Sequence, residues 1–132
     1  MPTQKFIPHG QKEQKLVEFL AATKKRLLIC SPYVTNYGMN KVSSEVSKKV
    51  DFGLITTLKV KDCISGSHDP ASILRVMAAR EQSGLSDKLW INQSLHAKCY
   101  FFDDETSIMG SLNFTRGGWV KNVELALSLI HI

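Results

Sequence analysis

Residues 95–124 read LHAKCYFFDDETSIMGSLNFTRGGWVKNVE, and this stretch decides the fold. Residues 95–102 mix aromatic and aliphatic side chains, the composition of a strand. Side chains alternate across a strand, so His96, Lys98 and Tyr100 fall on one face and Ala97, Cys99 and Phe101 on the other. The second face suits a core. The first holds an imidazole and an ammonium about 7 Å apart, two strand rises, and core packing has no use for that pair. Asp103, Asp104 and Glu105 make a polar turn, and residues 106–109 read as the return strand of a hairpin. That return brings Gly110, Ser111 and Asn113 beside His96: a close backbone approach, a hydroxyl and an amide donor. A basic nitrogen, an ammonium and two neutral donors converging on one point suit a phosphate. Histidine is a competent nucleophile toward phosphorus, and phosphoryl transfer is mostly a matter of positioning and charge stabilisation.

This spacing resembles the motif of the phospholipase D superfamily: His-x-Lys, four residues, Asp, six residues, Gly-Ser-x-Asn. His96, Lys98, Asp103, Gly110, Ser111 and Asn113 satisfy every position, and Glu124 fits an acidic residue often found downstream. Six fixed residues at set spacings are far more specific than a short glycine pattern. The resemblance implies that His96 attacks phosphorus and forms a covalent phosphohistidine. Lys98, Ser111 and Asn113 then hold the non-bridging oxygens, and Glu124 accepts a hydrogen bond from the other imidazole nitrogen, fixing its tautomer. Asp103 is expected to orient the hairpin or Lys98 rather than to touch substrate. No metal and no cofactor are expected. A metal site built from His96, Asp103, Asp104 and His68 is the weaker reading, since Lys98 already supplies the charge an ion would bring. Arg116 and Lys121, just after the motif, are candidate substrate contacts. Trp119 is expected in a core or interface rather than stacked on a base.

The family mechanism needs two histidines on opposite sides of phosphorus, and this chain carries one motif. His9, His68 and His131 lack Lys and Asp companions. The resemblance therefore implies a homodimer sharing one active site, or a second motif-bearing half.

A chain of 132 residues, 43% of them hydrophobic, suits one globular domain with a single core. Its apolar runs are too short to span a bilayer, and the N-terminus lacks the apolar segment of a secretory signal. Cys30, Cys63 and Cys99 are odd in number and lack C-x-x-C spacing, so neither a disulfide framework nor a zinc knuckle is indicated. Cys30 and Cys99 lie in apolar patterns and read as buried packing residues in a reducing, cytoplasmic setting. Residues 1–50 hold nine Lys or Arg against three Glu, a balance of +6, and the remainder balances to −1. The basic half lies outside the motif and is compatible with a polyanion.

Residues 12–23 show a helical stripe of Leu16, Phe19, Leu20 and Ala22, with Gln and Lys on the other face. Residues 26–33 are apolar on both faces, as in a buried central strand, and Pro32 ends them. Met39, Val42, Val46 and Val50 fall at helical spacing; residues 52–57 read as a strand and 59–67 as a loop. Asp69-Pro70 opens a helix whose inner stripe is Ile73, Leu74 and Met77, with Gly84 a plausible stop. Residues 88–92 and 123–129 complete the strands. Strands alternating with helices and closing in an antiparallel hairpin indicate an α/β domain with a mixed β-sheet flanked by helices, one phospholipase D-like domain spanning 1–132, half of a two-fold pair. Residues 127–132 spell what a sequencing-adapter transposon end encodes in one frame. They are read as adapter-derived, with the natural chain continuing beyond residue 126.

The functional expectation is a metal-independent phosphodiesterase, a nuclease acting on DNA or RNA. A phospholipid or other phosphodiester hydrolase, and an inactive nucleic-acid-binding or assembly module, are the alternatives. The basic N-terminal half, the size of the chain and the absence of a secretory signal favour nucleic acid over lipid.

Overall fold

The computed structural model describes residues 3–81 and 87–130. Thirteen elements follow the alternation expected from sequence, with strands β1 (Thr3–Phe6), β2 (Arg26–Cys30), β3 (Asp51–Thr56), β4 (Lys88–Ile91), β5 (Cys99–Phe102), β6 (Thr106–Gly110) and β7 (Ala126–Ile130). The helices are α1 (Lys12–Ala22), α2 (Asn36–Glu45), α3 (Val60–Ser65) and α4 (Pro70–Glu81), joined by a 3-10 turn at His9–Gln11 and a wide turn at Gly117–Lys121. The strands form one sheet in the order β1-β7-β6-β5-β2-β3-β4. β2, β3 and β4 run parallel and the remaining pairings are antiparallel, so the sheet is mixed as expected.

Register sets which side chains share a face. Leu54, Ile29, Tyr100, Ile108 and Ser128 line up across five strands and are all buried. They meet Leu16 and Leu20 of α1, Met39 and Val42 of α2, and Ile73, Val76 and Met77 of α4, which together with Trp119 make the core. Tyr100 and Phe102 are thus the core face of β5, while Cys99 and Phe101 point away. The expected alternation holds, but the core lies on the Tyr100 face rather than on the Cys99–Phe101 face, because the helices pack on the side that carries Ile29, Tyr100 and Ile108. β5 itself begins at Cys99, and the Gly110 amide bonded to Lys98 O carries its ladder with β6 one residue further, so Lys98 stands at the end of the strand beside the site.

The neighbouring row, Trp90, Ile55, Cys30, Cys99, Met109 and Leu127, forms the opposite face. Among the described residues no helix contributes to this side. Two shallow grooves of about 460 and 550 Å³ lie along it, meeting at Arg26 and Leu28.

Several local expectations change. β1 and the wide turn at Gly117–Lys121 were not foreseen, and the segment expected as a loop contains α3. α2 ends at Glu45, so Val46 and Val50 are buried beyond the helix rather than on it. Leu74 is 60% exposed, and Ile73, Val76, Met77 and Arg80 form the inner stripe of α4. Gly84, the expected stop, lies outside the described residues. Lys12 is wholly buried rather than on the solvent face of α1, its ammonium donating to Gly118 O (2.9 Å) and Asn122 O (2.6 Å). Arg80 is also buried; it pairs with Asp87 at 2.7 Å and so ties α4 to the approach of β4. Pro70 opens α4 as expected, and Asp69 accepts from the Ser72 amide at 3.3 Å.

Candidate active site

The site forms at one end of the sheet. There the carboxyl ends of β2, β3 and β6 meet the amino end of β5, the crevice where open α/β sheets commonly bind ligands. A pocket of about 100 Å³ is lined by Pro32 and Tyr33 after β2, Thr57, Lys59 and Asp62 after β3, Leu95, His96 and Lys98 before β5, and Asn113 after β6. His96, Lys98 and Asn113, separated by up to 17 positions in sequence, therefore share one cavity. Its volume suits a group of phosphate size.

Each wall is fixed by backbone bonding. Lys98 Nζ lies 3.2 Å from His96 O, so the ammonium folds back along its own segment. The Gly110 amide donates to Lys98 O at 3.4 Å, joining the start of β5 to the end of β6. Gly110 must be glycine: a Cβ there would lie 1.9 Å from Leu125 O. Ser31 organises the Asn113 side. Its hydroxyl donates to Tyr33 O at 2.7 Å, accepts from the Phe114 amide at 2.9 Å and stands 3.5 Å from Asn113 Oδ1. Val34 and Phe114 add a parallel bridge, and the Thr35 amide donates to Phe114 O at 3.2 Å. Gly118 permits the turn behind Asn113, since a Cβ would come within 2.3 Å of Asn113 O. Lys12 closes that turn from below through Gly118 O and Asn122 O.

Ser111 and Glu124 adopt a different arrangement from the one expected. The Ser111 hydroxyl donates to Glu124 Oε2 in a short hydrogen bond and accepts from the Leu125 amide at 2.9 Å. Glu124 Oε1 accepts from Asn122 Nδ2 at 3.3 Å. Both carboxylate oxygens thus serve the segment between β6 and β7, and His96 is not their partner. The Ser111 proton is committed to Glu124, so this serine does not present a donor to a phosphate here.

Asp103 lies at the other end of β5, about 17 Å of strand from Lys98 at strand rise, and does not line the pocket. Its carboxylate accepts from the amides of Lys24 (3.1 Å), Lys25 (2.7 Å) and Arg26 (3.0 Å). Partial burial alone would raise its pKa, and the three backbone donors outweigh that and lower it. Asp103 holds the hairpin tip to the start of β2. Its contacts are with these backbone amides and with none of the residues that line the pocket.

The metal alternative fails on geometry. Both ring nitrogens of buried His68 are engaged: Nδ1 accepts from the Val34 amide and Nε2 donates to Thr57 O, each at 2.9 Å. Burial lowers its pKa, against those hydrogen bonds and the Asp62 and Asp69 charges. Asp103 and Asp104 are remote from His96. Among the described residues no group of three His, Cys, Asp or Glu could hold a metal.

Arg116 and Lys121 are exposed and line no part of the pocket. Trp119 is buried, its Nε1 donating to Tyr100 Oη at 3.2 Å. Tyr33, Thr57, Lys59 and Asp62 were missed from sequence. They come from loops after β2 and β3 that carry no motif, and only the parallel pairing of those strands delivers them.

The family model of the cardiolipin synthase phospholipase D-like domain matches residues 16–131. No curated protein sequence matches the chain significantly. Among solved structures, the fold is similar to Nuc from Salmonella typhimurium, a phospholipase D family member (20% identity, TM-score 0.70, 100% of this chain and 85% of that one). It also resembles phosphatidylserine synthase from Haemophilus influenzae (16%, TM-score 0.72, 98% of this chain and 34% of that one). A third similar fold is yeast tyrosyl-DNA phosphodiesterase (13%, TM-score 0.52, 98% and 31%). With the family model covering nearly the whole chain and the mixed seven-stranded sheet matching the fold of a family member, the chain belongs to the phospholipase D superfamily.

Proposed function

We propose that the protein is a metal-independent phosphodiesterase that cleaves nucleic acid, an endonuclease working through a phosphohistidine. One observation carries the reading: His96, Lys98 and Asn113 line a single pocket of about 100 Å³. An imidazole nitrogen of His96 attacks phosphorus, forming a P–N bond as the P–O bond to the leaving group breaks. Lys98 Nζ and Asn113 Nδ2 stabilise the charge that builds on the non-bridging oxygens. Asn113 turns its Oδ1 toward Ser31, which leaves Nδ2 for that task. Water then cleaves the P–N bond and regenerates the imidazole. The leaving oxygen needs a proton, and among the described residues no second histidine lines the pocket, His68 being locked between two backbone groups. His96 of a second copy supplies it in a shared site, or a second motif-bearing half does.

Lys59, at the mouth of the pocket, adds positive charge suited to a neighbouring phosphate of a nucleic-acid strand. A lipid-hydrolase reading draws on different neighbours: Val60 is 73% and Ile64 81% exposed on α3, beside the same mouth. Among the described residues no helix is long and apolar enough to cross a membrane. The same apolar pair also suits the seam of a two-copy assembly.

The test is incubation with plasmid, single-stranded DNA, RNA and phosphatidylcholine vesicles, each with EDTA present. Cleavage of one or more nucleic acids in EDTA is expected. Turnover abolished by EDTA and restored by Mg²⁺ would overturn the mechanism, and turnover of the vesicles alone would replace the substrate.

A further inference from the structure

We propose that Cys30 and Cys99 form a reversible oxidation site, closing to a cross-strand disulfide that distorts the phosphate pocket one residue away. The two face each other directly across the antiparallel β2–β5 pair. The Asp103 amide donates to Arg26 O at 2.8 Å, which makes Arg26 and Asp103 a hydrogen-bonded pair. Bonded and non-bonded pairs alternate along an antiparallel ladder, so Leu28–Phe101 and then Cys30–Cys99 are bonded pairs too. Their Cα atoms are therefore about 5.5 Å apart, inside the span of about 4.4–6.8 Å that a disulfide bridges. Opposed residues project from the same side of the sheet, and here that is the side without helices.

The two thiols differ in character. The interaction with Cys30 pulls the Cys99 thiol down to about 7, while the interaction with Cys99 and burial push Cys30 up. Cys99 is partly exposed and Cys30 buried. An accessible thiolate beside a buried thiol is the arrangement of an attacking and a resolving cysteine.

With a hydroperoxide as oxidant, the steps balance. The Cys99 thiolate attacks the distal peroxide oxygen, an S–O bond forms, the O–O bond breaks and an alcohol, or water from hydrogen peroxide, departs. Cys30 loses its proton and attacks the Cys99 sulfur; the S–S bond forms, the S–O bond breaks and water leaves. Two thiols and one hydroperoxide yield one disulfide, one alcohol and one water. A dithiol reductant reverses this by exchange.

Coupling to the site follows from chain neighbours. Lys98 precedes Cys99 and lines the pocket. Ser31 follows Cys30 and holds Asn113 and Phe114. Drawing the two opposed sulfurs to bonding distance shifts both walls at once, and small misplacements at such sites cost large factors in rate.

The protein is treated with hydrogen peroxide in its native state, its remaining thiols are alkylated, and its peptides are mapped by mass. A linked Cys30–Cys99 peptide pair two hydrogens lighter than the free pair is expected, with Cys63, on α3, alkylated as the internal control. Phosphodiesterase activity should fall about tenfold or more, return with dithiothreitol, and resist peroxide in Cys99→Ser. Three alkylated cysteines, or linkage through Cys63, would overturn the site; a disulfide-linked protein with undiminished activity would overturn the switch. The activity arm rests on the phosphodiesterase reading, whereas the peptide map does not, so the two fail separately.

Discussion

His96 and Asp103 belong to one motif, seven positions apart, and the structure gives them opposite tasks. One faces a pocket; the other clamps three amides at the far end of the same strand. His96→Asn should therefore leave thermal unfolding nearly unchanged and reduce turnover by more than the ~10²–10⁴-fold that loss of acid–base assistance alone would cost. Acid-free quenching with labelled substrate should leave label on the wild-type peptide containing His96. Near-normal turnover in that variant would refute the nucleophile. Asp103→Ala should do the reverse, lowering stability by about 1–2 kcal/mol, the range for losing a capping carboxylate, and keeping turnover within a few-fold. Denaturant titration beside an activity assay separates the two. Spacing alone identified both residues, because a fixed motif survives any uncertainty in where strands begin. It did not say what Asp103 would bind, since that depends on which amides the start of β2 presents to the hairpin tip. The commitment of Ser111 to Glu124 was invisible for a similar reason: it depends on how residues 122–125 fold back, and no periodicity governs that segment.

At the scale of elements, the helices and strands with strong apolar periodicity were legible, and those whose shape is imposed by partners were not. α1 and α4 form where their stripes predict them, although Ala22 and Leu74 of those stripes are exposed. β1 is exposed along its whole length and forms only because β7 offers an edge, so its sequence carries no signal. The turn at Gly117–Lys121 is held by a lysine more than a hundred positions away. Lys12→Met should leave two carbonyls behind the site without their donor and cost about 2–3 kcal/mol, measurable by denaturant midpoint. His68 pins the loops after β2 and β3 together, and its pKa is lowered in the fold. Below its ordinary value of 6.5 the unfolded chain takes up a proton that the folded chain refuses. Stability should therefore fall as pH drops below about 6.5, by up to about 1.4 kcal/mol per pH unit until the folded-state pKa is reached. Asp103 adds a second loss below its ordinary 3.8. Urea midpoints at pH 7.5 and 5.5 report the first slope, and His68→Gln should flatten it.

For the molecule as a whole, a pocket lined by a single histidine among the described residues makes assembly part of the proposed chemistry. Sedimentation should show two copies at assay concentration, and specific activity should decline on dilution as they part. A monomer with full activity would remove the shared site. Trp119 and Trp90, the two tryptophans, sit on opposite sides of the sheet. The first is enclosed against Tyr100, with ring centroids 5.1 Å apart; the second is 47% exposed at the border of a groove on the side without helices. The sheet therefore divides the molecule's fluorescence. Iodide should quench the red-shifted emission of Trp90 and spare the blue-shifted emission of Trp119. Trp119→Phe would leave a single lamp on the open side, whose colour turns bluer whenever anything settles there.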